Sequence, residues 1–295
     1  MKRHFNSPCC AAFFVALILC VFAPLASSSA PAANLSDCAA PPERPTLLLY
    51  AFEAEGALLE SRMAVDSAAA HLGRRVVYGR LSDRPVVLAE SGVGMTNAAM
   101  TAQALLDRCR PARVLFSGIA GGIDSSVHIG DIVVCSAWVA HEYGYWGAEG
   151  FAPDPVEVYL PVLDTAVSLN ALSVDVDLFR TAGRLAGDTF AFDSIGGRQP
   201  RVRVGGVGAS GNSFVDNVEK RLWLSATFSA QVVDMESAAV VQVCTANGVP
   251  CLVFRSASDL AGGSGSSTAR TEIGEFFRVA AANSAQVVLR FLEHL

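Results

Sequence analysis

Short apolar runs alternate along this chain with longer stretches whose apolar positions recur every three or four residues. Thr46 to Phe52 is a continuous apolar run between a proline and an acidic residue, the pattern of a buried strand. From Glu53 to His71 the spacing of Leu58, Leu59, Met63 and Ala69 predicts a helix. Val76 to Arg80 and Pro85 to Glu90 read as two strands joined at Ser82-Asp83-Arg84, and the Gly-rich turn Ser91 to Gly94 leads into a helix over Met95 to Arg110. Arg113 to Phe116 predicts a strand that runs into a second Gly-rich turn, Ser117 to Gly122, and Ile129 to Ala140 a further strand. His141 to Pro161 is rich in aromatic, Gly and Pro residues and reads as a long functional loop. Beyond it the pattern predicts a helix within Leu163 to Ala186, a strand over Arg201 to Val207 and a helix over Phe214 to Ser225. The chain then continues as strand (Gln231 to Asp234), helix (Glu236 to Asn247), strand (Pro250 to Ser256) and helix (Glu272 to Leu295). The alternation implies an α/β fold, a three-layer α/β/α sandwich with a mixed, largely parallel central sheet. No internal repeat or domain linker interrupts it.

The first 32 residues follow a different logic. Lys2, Arg3 and His4 precede an uncharged apolar stretch, Ala11 to Phe22, and small residues follow. A basic head, a short apolar core and a small-residue exit are the order of a secretory signal. The core is too short for an easy membrane span, and the bulky Leu19 before Cys20 argues against a lipoprotein signal. The expected organisation is therefore a signal peptide over 1–32, a Pro/Ala-rich tail over 33–45 and one domain over 46–295, with a secreted or periplasmic location.

Composition narrows the function. Hydrophobic residues make up 52% of the chain and charged residues 17%, which requires a large core and excludes disorder. Loss of Lys2 and Arg3 with the leader changes the net charge from −6 to −8. Such a chain has no electrostatic footprint for nucleic acid or an anionic membrane. Five cysteines follow the leader, at irregular spacing that matches neither a disulfide scaffold nor a zinc motif. Cys135, Cys244 and Cys251 lie in apolar runs as buried thiols, whereas Cys38 and Cys109 each precede a strand and are candidates for one disulfide.

The candidate chemistry lies at strand ends, where open α/β sheets bind their ligands. Asp234-Met235-Glu236 ends one apolar run and Arg255-Ser256-Ala257-Ser258-Asp259 ends another. Two acids with different neighbours can divide the work, one staying charged to hold hydroxyls and the other delivering a proton. Taken singly, each signal has a plain structural reading. Glu53 and Glu55 suit the first turn of any helix, Asp234, Glu236 and Asp259 suit caps, Phe214 suits a core, and the Gly-rich turns suit tight connections that are neither a dinucleotide fingerprint nor a P-loop.

The order of these pieces is more specific. Ala51-Phe52-Glu53-Ala54-Glu55, Ser91-Gly92-Val93-Gly94, Gly118-Ile119-Ala120-Gly121-Gly122 with Ile129 to Val134 after it, Phe214 before a helix, Asp234 to Glu236 and Arg255 to Asp259 follow in sequence. This order resembles the nucleoside phosphorylase and nucleosidase superfamily, and within it the branch that hydrolyses methylthioadenosine and adenosylhomocysteine. The resemblance covers the chain from Thr46 onward. It implies cleavage of the N-glycosidic bond of a purine nucleoside by water, without a metal or organic cofactor. It implies Asp259 as the acid toward purine N7, aided by Ser258, and Glu55 as the group that polarises water near Arg255. Glu236 would bind the ribose hydroxyls, Met235 pack on the sugar, Phe214 stack on the base and the Val215 backbone meet its edge. Ser91, Val93, Ala120 and Gly121 would complete the site, and a homodimer is implied because family members complete the 5′ pocket with a neighbouring chain. Two positions depart from the pattern: Ile119 replaces a serine common in the hydrolytic branch, and the aromatic segment His141 to Trp146, with the chain up to Gln199, is expected to reshape the lid or the 5′ pocket. Two other classes stay open. A phosphorylase needs a cationic phosphate site, and Phe116 and Ile119 stand where hexameric phosphorylases carry Arg and Ser. A non-catalytic storage or binding protein would not need Glu55, Glu236 and Asp259 together.

Overall fold

The computed structural model describes residues 43–265 and 267–295; the expected leader, Cys38 and nearly all of the expected tail lie outside them. The core is one twelve-stranded mixed sheet. Its spine runs from β1 (Thr46–Tyr50), which pairs in parallel with both β4 (Arg84–Glu90) and β5 (Arg113–Gly122). β16 (Cys251–Asp259) lies parallel to β5 on its other side, and β15 (Ala230–Asp234) pairs antiparallel with the end of β5. Leu47, Leu48 and Leu49 of β1 are fully buried, as a strand covered on both faces requires. Helix α1 (Glu53–Ser61) packs with α6 (Ala269–His294) over β5 and β16, while α2 (Met95–Cys109) packs with α5 (Ser237–Ala246). The expected mixed sheet flanked by helices is what the chain forms.

Several elements differ from their sequence reading. The helix expected over Glu53 to His71 stops at Ser61, and β2 (Ala64–His71) forms a hairpin with β3 (Arg74–Leu81). The turn Leu72-Gly73 has φ of 51° and 72°, the left-handed pair of a two-residue hairpin. Ala64 to Ala70 is Ala-rich and locally favours helix, so pairing along β3 overrides the local preference. The segment Ile129 to Ala140 breaks into β6 (Ile132–Val134) and β7 (Ala137–Ala140), which take different partners. Gly205 and Gly206, at φ 127° and 79°, likewise divide the expected strand over Arg201 to Val207 into β13 (Val202–Val204) and β14 (Val207–Ser210). The aromatic segment is the hairpin β8 (Gly144–Gly147) with β9 (Gly150–Pro153). The first part of the helix expected within Leu163 to Ala186 is instead β11 (Thr165–Leu169), paired in a second hairpin with β10 (Val156–Leu160), and then β12 (Leu172–Ser173); only the later part is helical, as the short α3 (Val176–Ala182) and the 3-10 turn after it. Phe214 precedes its helix, α4 (Val218–Phe228), rather than opening it; Asn217 caps that helix through Lys220 N. Cys109 is disulfide-bonded and Cys135, Cys244 and Cys251 are free and buried.

Candidate active site

Four chain segments meet where β1, β5, β15 and β16 end. Glu55 sits in the first turn of α1, and its carboxylate turns back on the backbone: one oxygen accepts from Ala51 N at 2.6 Å and the other from Ile119 N at 2.8 Å. The side chain thus ties the end of β1 to the end of β5. Glu236 precedes α5 and accepts from Gly94 N at 2.8 Å across the N-terminus of α2. Gly94 adopts φ 95°, a conformation that glycine reaches without strain and that aims its N–H at that carboxylate.

Arg255, fully buried on β16, is the hub of this cluster. Its Nε donates to Asp234 at 2.6 Å, its Nη2 to Glu236 at 3.5 Å, and its Nη1 lies 3.9 Å from Glu55. Its guanidinium stacks 4.1 Å from the centre of the Phe116 ring. Ser210 Oγ donates to Asp234 at 2.5 Å, and the Ser237 hydroxyl donates to it as well. Three carboxylates share one cation, so burial resists full ionisation. Desolvation raises Glu55, opposed by Arg255. Desolvation, reinforced by Asp234 and Glu55, raises Glu236 to about 7.

Asp259 ends β16 apart from that cluster. Burial raises its carboxyl to about 6, and Glu272 and Asp216 add to the shift. Its oxygens accept from Ala261 N and from Ser258 Oγ, each at 2.9 Å. Glu272 holds the following loop by accepting from Leu260 N and Ser264 N, both at 2.9 Å.

Glu55, Glu236 and Asp259 line one cavity of about 230 Å³, together with Met235, Phe214, Val215, Ser258, Val93, Ala120 and Gly121. Ten of the twelve residues expected at the site therefore meet there. The other two do not line it. Arg255 lies beneath, spent on carboxylates, and Ser91 is buried with its hydroxyl turned onto Gly92 O at 3.2 Å, so its role is to shape the turn before Gly94. Among the described residues, no Lys, Arg or His lines the cavity. The segment His141 to Gln199 contributes nothing to this cavity within one chain; its residues line a neighbouring one.

The stretch Ser117 to Gly122, expected as a second Gly-rich turn, is instead the continuation of strand β5, and Gly118 shows why it has to be bare. A Cβ there would fall 1.6 Å from Arg255 Nη1 and 2.7 Å from Glu55 Oε1. Gly118→Ala is expected to displace the Arg255–Glu55 contact, lowering turnover at least about tenfold and destabilising the fold by about 1–3 kcal/mol, as overpacking does. Thermal melts with base-release assays check this; an unchanged variant would show that the close approach is not required.

The family model described as the phosphorylase superfamily matches residues 48–293. The chain belongs to the phosphorylase superfamily. Among curated proteins, this superfamily member is 34% identical over 218 residues to the 5′-methylthioadenosine/S-adenosylhomocysteine nucleosidase of Mycobacterium bovis, covering 72% of this chain and 83% of that one. It is 32% identical over 251 residues to the enzyme of the same name from Geobacillus thermodenitrificans, covering 83% and 94%. Among solved structures, the nucleosidase of that name from Neisseria meningitidis, in complex with methylthio-immucillin-A, superposes with a TM-score of 0.72 at 27% identity, over 85% of this chain and all (100%) of the other. Futalosine hydrolase of Helicobacter pylori superposes at 0.70 with 25% identity, over 85% and 98%. Asp234 is the residue that the sequence reading left out of the site: its acid-Met-Glu context was visible, but not that it holds Arg255. Glu272 and Asp216 were equally hidden, because they reach Asp259 from α6 and from the loop before α4.

Proposed function

We propose that this protein hydrolyses the N-glycosidic bond of purine nucleosides, with Glu55 and Asp259 as its catalytic pair. The observation that carries this reading is the shared cavity: a carboxyl raised to about 6 and a separate carboxylate cluster line the same small, mostly apolar space beside Phe214. Glu55 takes a proton from water as its oxygen bonds to C1′. The C1′–N9 bond breaks, its electron pair passes to the purine, and Asp259 delivers a proton to N7, so that the base leaves neutral. The ribosyl ring turns positive on the way, beside a cluster whose carboxylates outnumber its one cation. Glu236 and Met235 hold the sugar, Phe214 and the Val215 backbone hold the base, and Ser258 orients Asp259.

Water rather than phosphate is the acceptor, since among the described residues no Lys, Arg or His lines this cavity to meet a phosphate. The apolar lining by Phe52, Ile119, Met235 and Ile273 supports a 5′ group such as a thioether, in keeping with the names of the relatives. The decisive assay is release of free base from methylthioadenosine, adenosylhomocysteine, adenosine and inosine with and without phosphate. Phosphate-independent release is expected; ribose 1-phosphate would favour a phosphorylase, and no release from any nucleoside a binding protein. The protein acts after export, with residues 1–32 as its signal; the disulfide at Cys109 supports an oxidising compartment. N-terminal sequencing of exported protein tests this, and sedimentation tests the homodimer.

A further inference from the structure

A second cavity of about 850 Å³, more than three times the volume of the catalytic one, adjoins it across Ser213, Phe214 and Val215. We propose that this chamber receives a substituent on C6 of the purine, an aryl or alkenyl group, so that the protein accepts base-extended nucleosides. The inference rests on the hydrolase reading above and adds a substrate class to it.

The position of the chamber selects the C6 edge. The two cavities have no residue of the sugar side in common: Glu55, Met235 and Glu236 line only the catalytic one, as does the acid Asp259. With N7 at Asp259 and the base on Phe214, the two substitutable positions flanking N7 are C8, next to the N9 that carries the sugar, and C6, peri to N7 across C5; C6 is the one on the side away from the sugar, toward the 213–215 segment shared by both cavities. A group extending from C6 leaves the sugar behind and crosses into the chamber; a 5′ group does not.

The chamber's walls suit an unsaturated group. Trp146 and Phe151 of the β8–β9 hairpin lie 5.4 Å apart between ring centres, and Phe151 meets Trp223 of α4 edge-on at 6.0 Å. Lys220 Nζ sits 3.8 Å from the centre of the Trp223 ring. Trp146 is 75% exposed, an apolar surface at the chamber that a ligand would cover. His141, also on the lining, is fully buried, and neither ring nitrogen has a partner among the described residues. Buried polar atoms are nearly always paired, so a polar group on the substituent, or its linking N–H, would answer this one. Chamber and base platform form one unit: Glu142 accepts from Asn212 N at 2.7 Å and from the Ser213 hydroxyl, anchoring the residues just before Phe214 to the segment that leads into the hairpin.

The test compares the best-cleaved nucleoside with its N6-benzyl derivative, in wild type and in Trp146→Ala and Phe151→Ala. Wild type is expected to cleave the benzyl derivative with kcat/KM within about tenfold of the parent. Each variant should lower kcat/KM for the derivative at least tenfold, through KM, and leave the parent unchanged. Rejection of the derivative by wild type, or equal losses on both substrates, overturns the proposal. Binding gives an independent readout, because two of the three tryptophans line the chamber. Wild-type tryptophan fluorescence should report N6-benzyladenine binding about tenfold more tightly than adenine; equal affinity overturns the proposal even if a variant fails to fold. If no nucleoside releases base, the hydrolase reading falls, and the same titration still decides whether the chamber takes the substituent.

Discussion

Asp259→Asn is expected to release base about 10²–10⁴ times more slowly than wild type, the usual worth of a positioned general acid. Asparagine preserves the shape and the acceptance from Ala261 N but has no proton to give N7. The pH dependence has a definite sign. Asp259 is protonated below about 6, so kcat/KM of wild type should fall as pH rises through that value, and the variant should lose this limb. Stability moves the other way. A carboxyl raised in the folded state contributes stability that is fully present below its unfolded value of 3.8 and is lost as pH rises through about 6. At pH 8 the wild type therefore bears the cost of a buried charge, worth on the order of 1–3 kcal/mol, which asparagine removes. Melts should show the variant more stable at pH 8 and level with wild type at pH 4. A variant that keeps full turnover would remove Asp259 from the mechanism, and one less stable at pH 8 would contradict its burial as the cause of the shift.

Glu55→Gln should lower turnover by at least a comparable factor, about 10²–10⁴, because the attacking water loses both its base and its orientation. Burial raises the Glu55 carboxyl, which makes its ionised form a stronger base than an exposed glutamate. Glutamine has one oxygen where the carboxylate uses two, so either Ala51 N or Ile119 N loses its acceptor. That lost hydrogen bond costs about 1–3 kcal/mol of stability in addition to the lost activity. Removing this charge also relieves Glu236, whose carboxyl Glu55 helps to raise. Single-turnover base release separates the chemical step from binding. Binding of nucleoside should survive, since Phe214, Met235 and Glu236 remain. Loss of binding with unchanged single-turnover chemistry would assign Glu55 to ground-state binding instead.

Much of the fold and of the site was legible in the sequence wherever the signal was local. The runs at Thr46, Pro85, Gln231 and Pro250 form strands; Glu55 after β1 and Asp259 at the end of β16 reach one rim of the sheet because β1, β5 and β16 run parallel and finish together, while Asp234 comes to it from β15, antiparallel to the end of β5. The segment Ala64 to His71 and the chain around Thr165 form strands against their helical pattern because an Ala-rich or short apolar stretch fits either period, and the partner strand makes the choice. Ser91 was misplaced for a related reason: a serine in a Gly-rich turn serves a ligand or its own loop equally well until its hydroxyl direction is known.

The sequence by itself determined the alternation of elements, the family and the acids available for catalysis, since these depend on side-chain type and order. Only the tertiary structure decided what those acids are. Burial, set by how the whole chain packs, raises Glu236 to about 7 and Asp259 to about 6; Glu55 adds to the first against the opposing Arg255, and Glu272 and Asp216 add to the second, all brought in from other parts of the chain. The chamber behind Phe214 likewise exists because a hairpin and a helix some seventy residues apart close on the same loop. A side chain's charge and its surroundings are set by desolvation and Coulomb terms that fall off with distance in space, and distance along the chain carries no record of them.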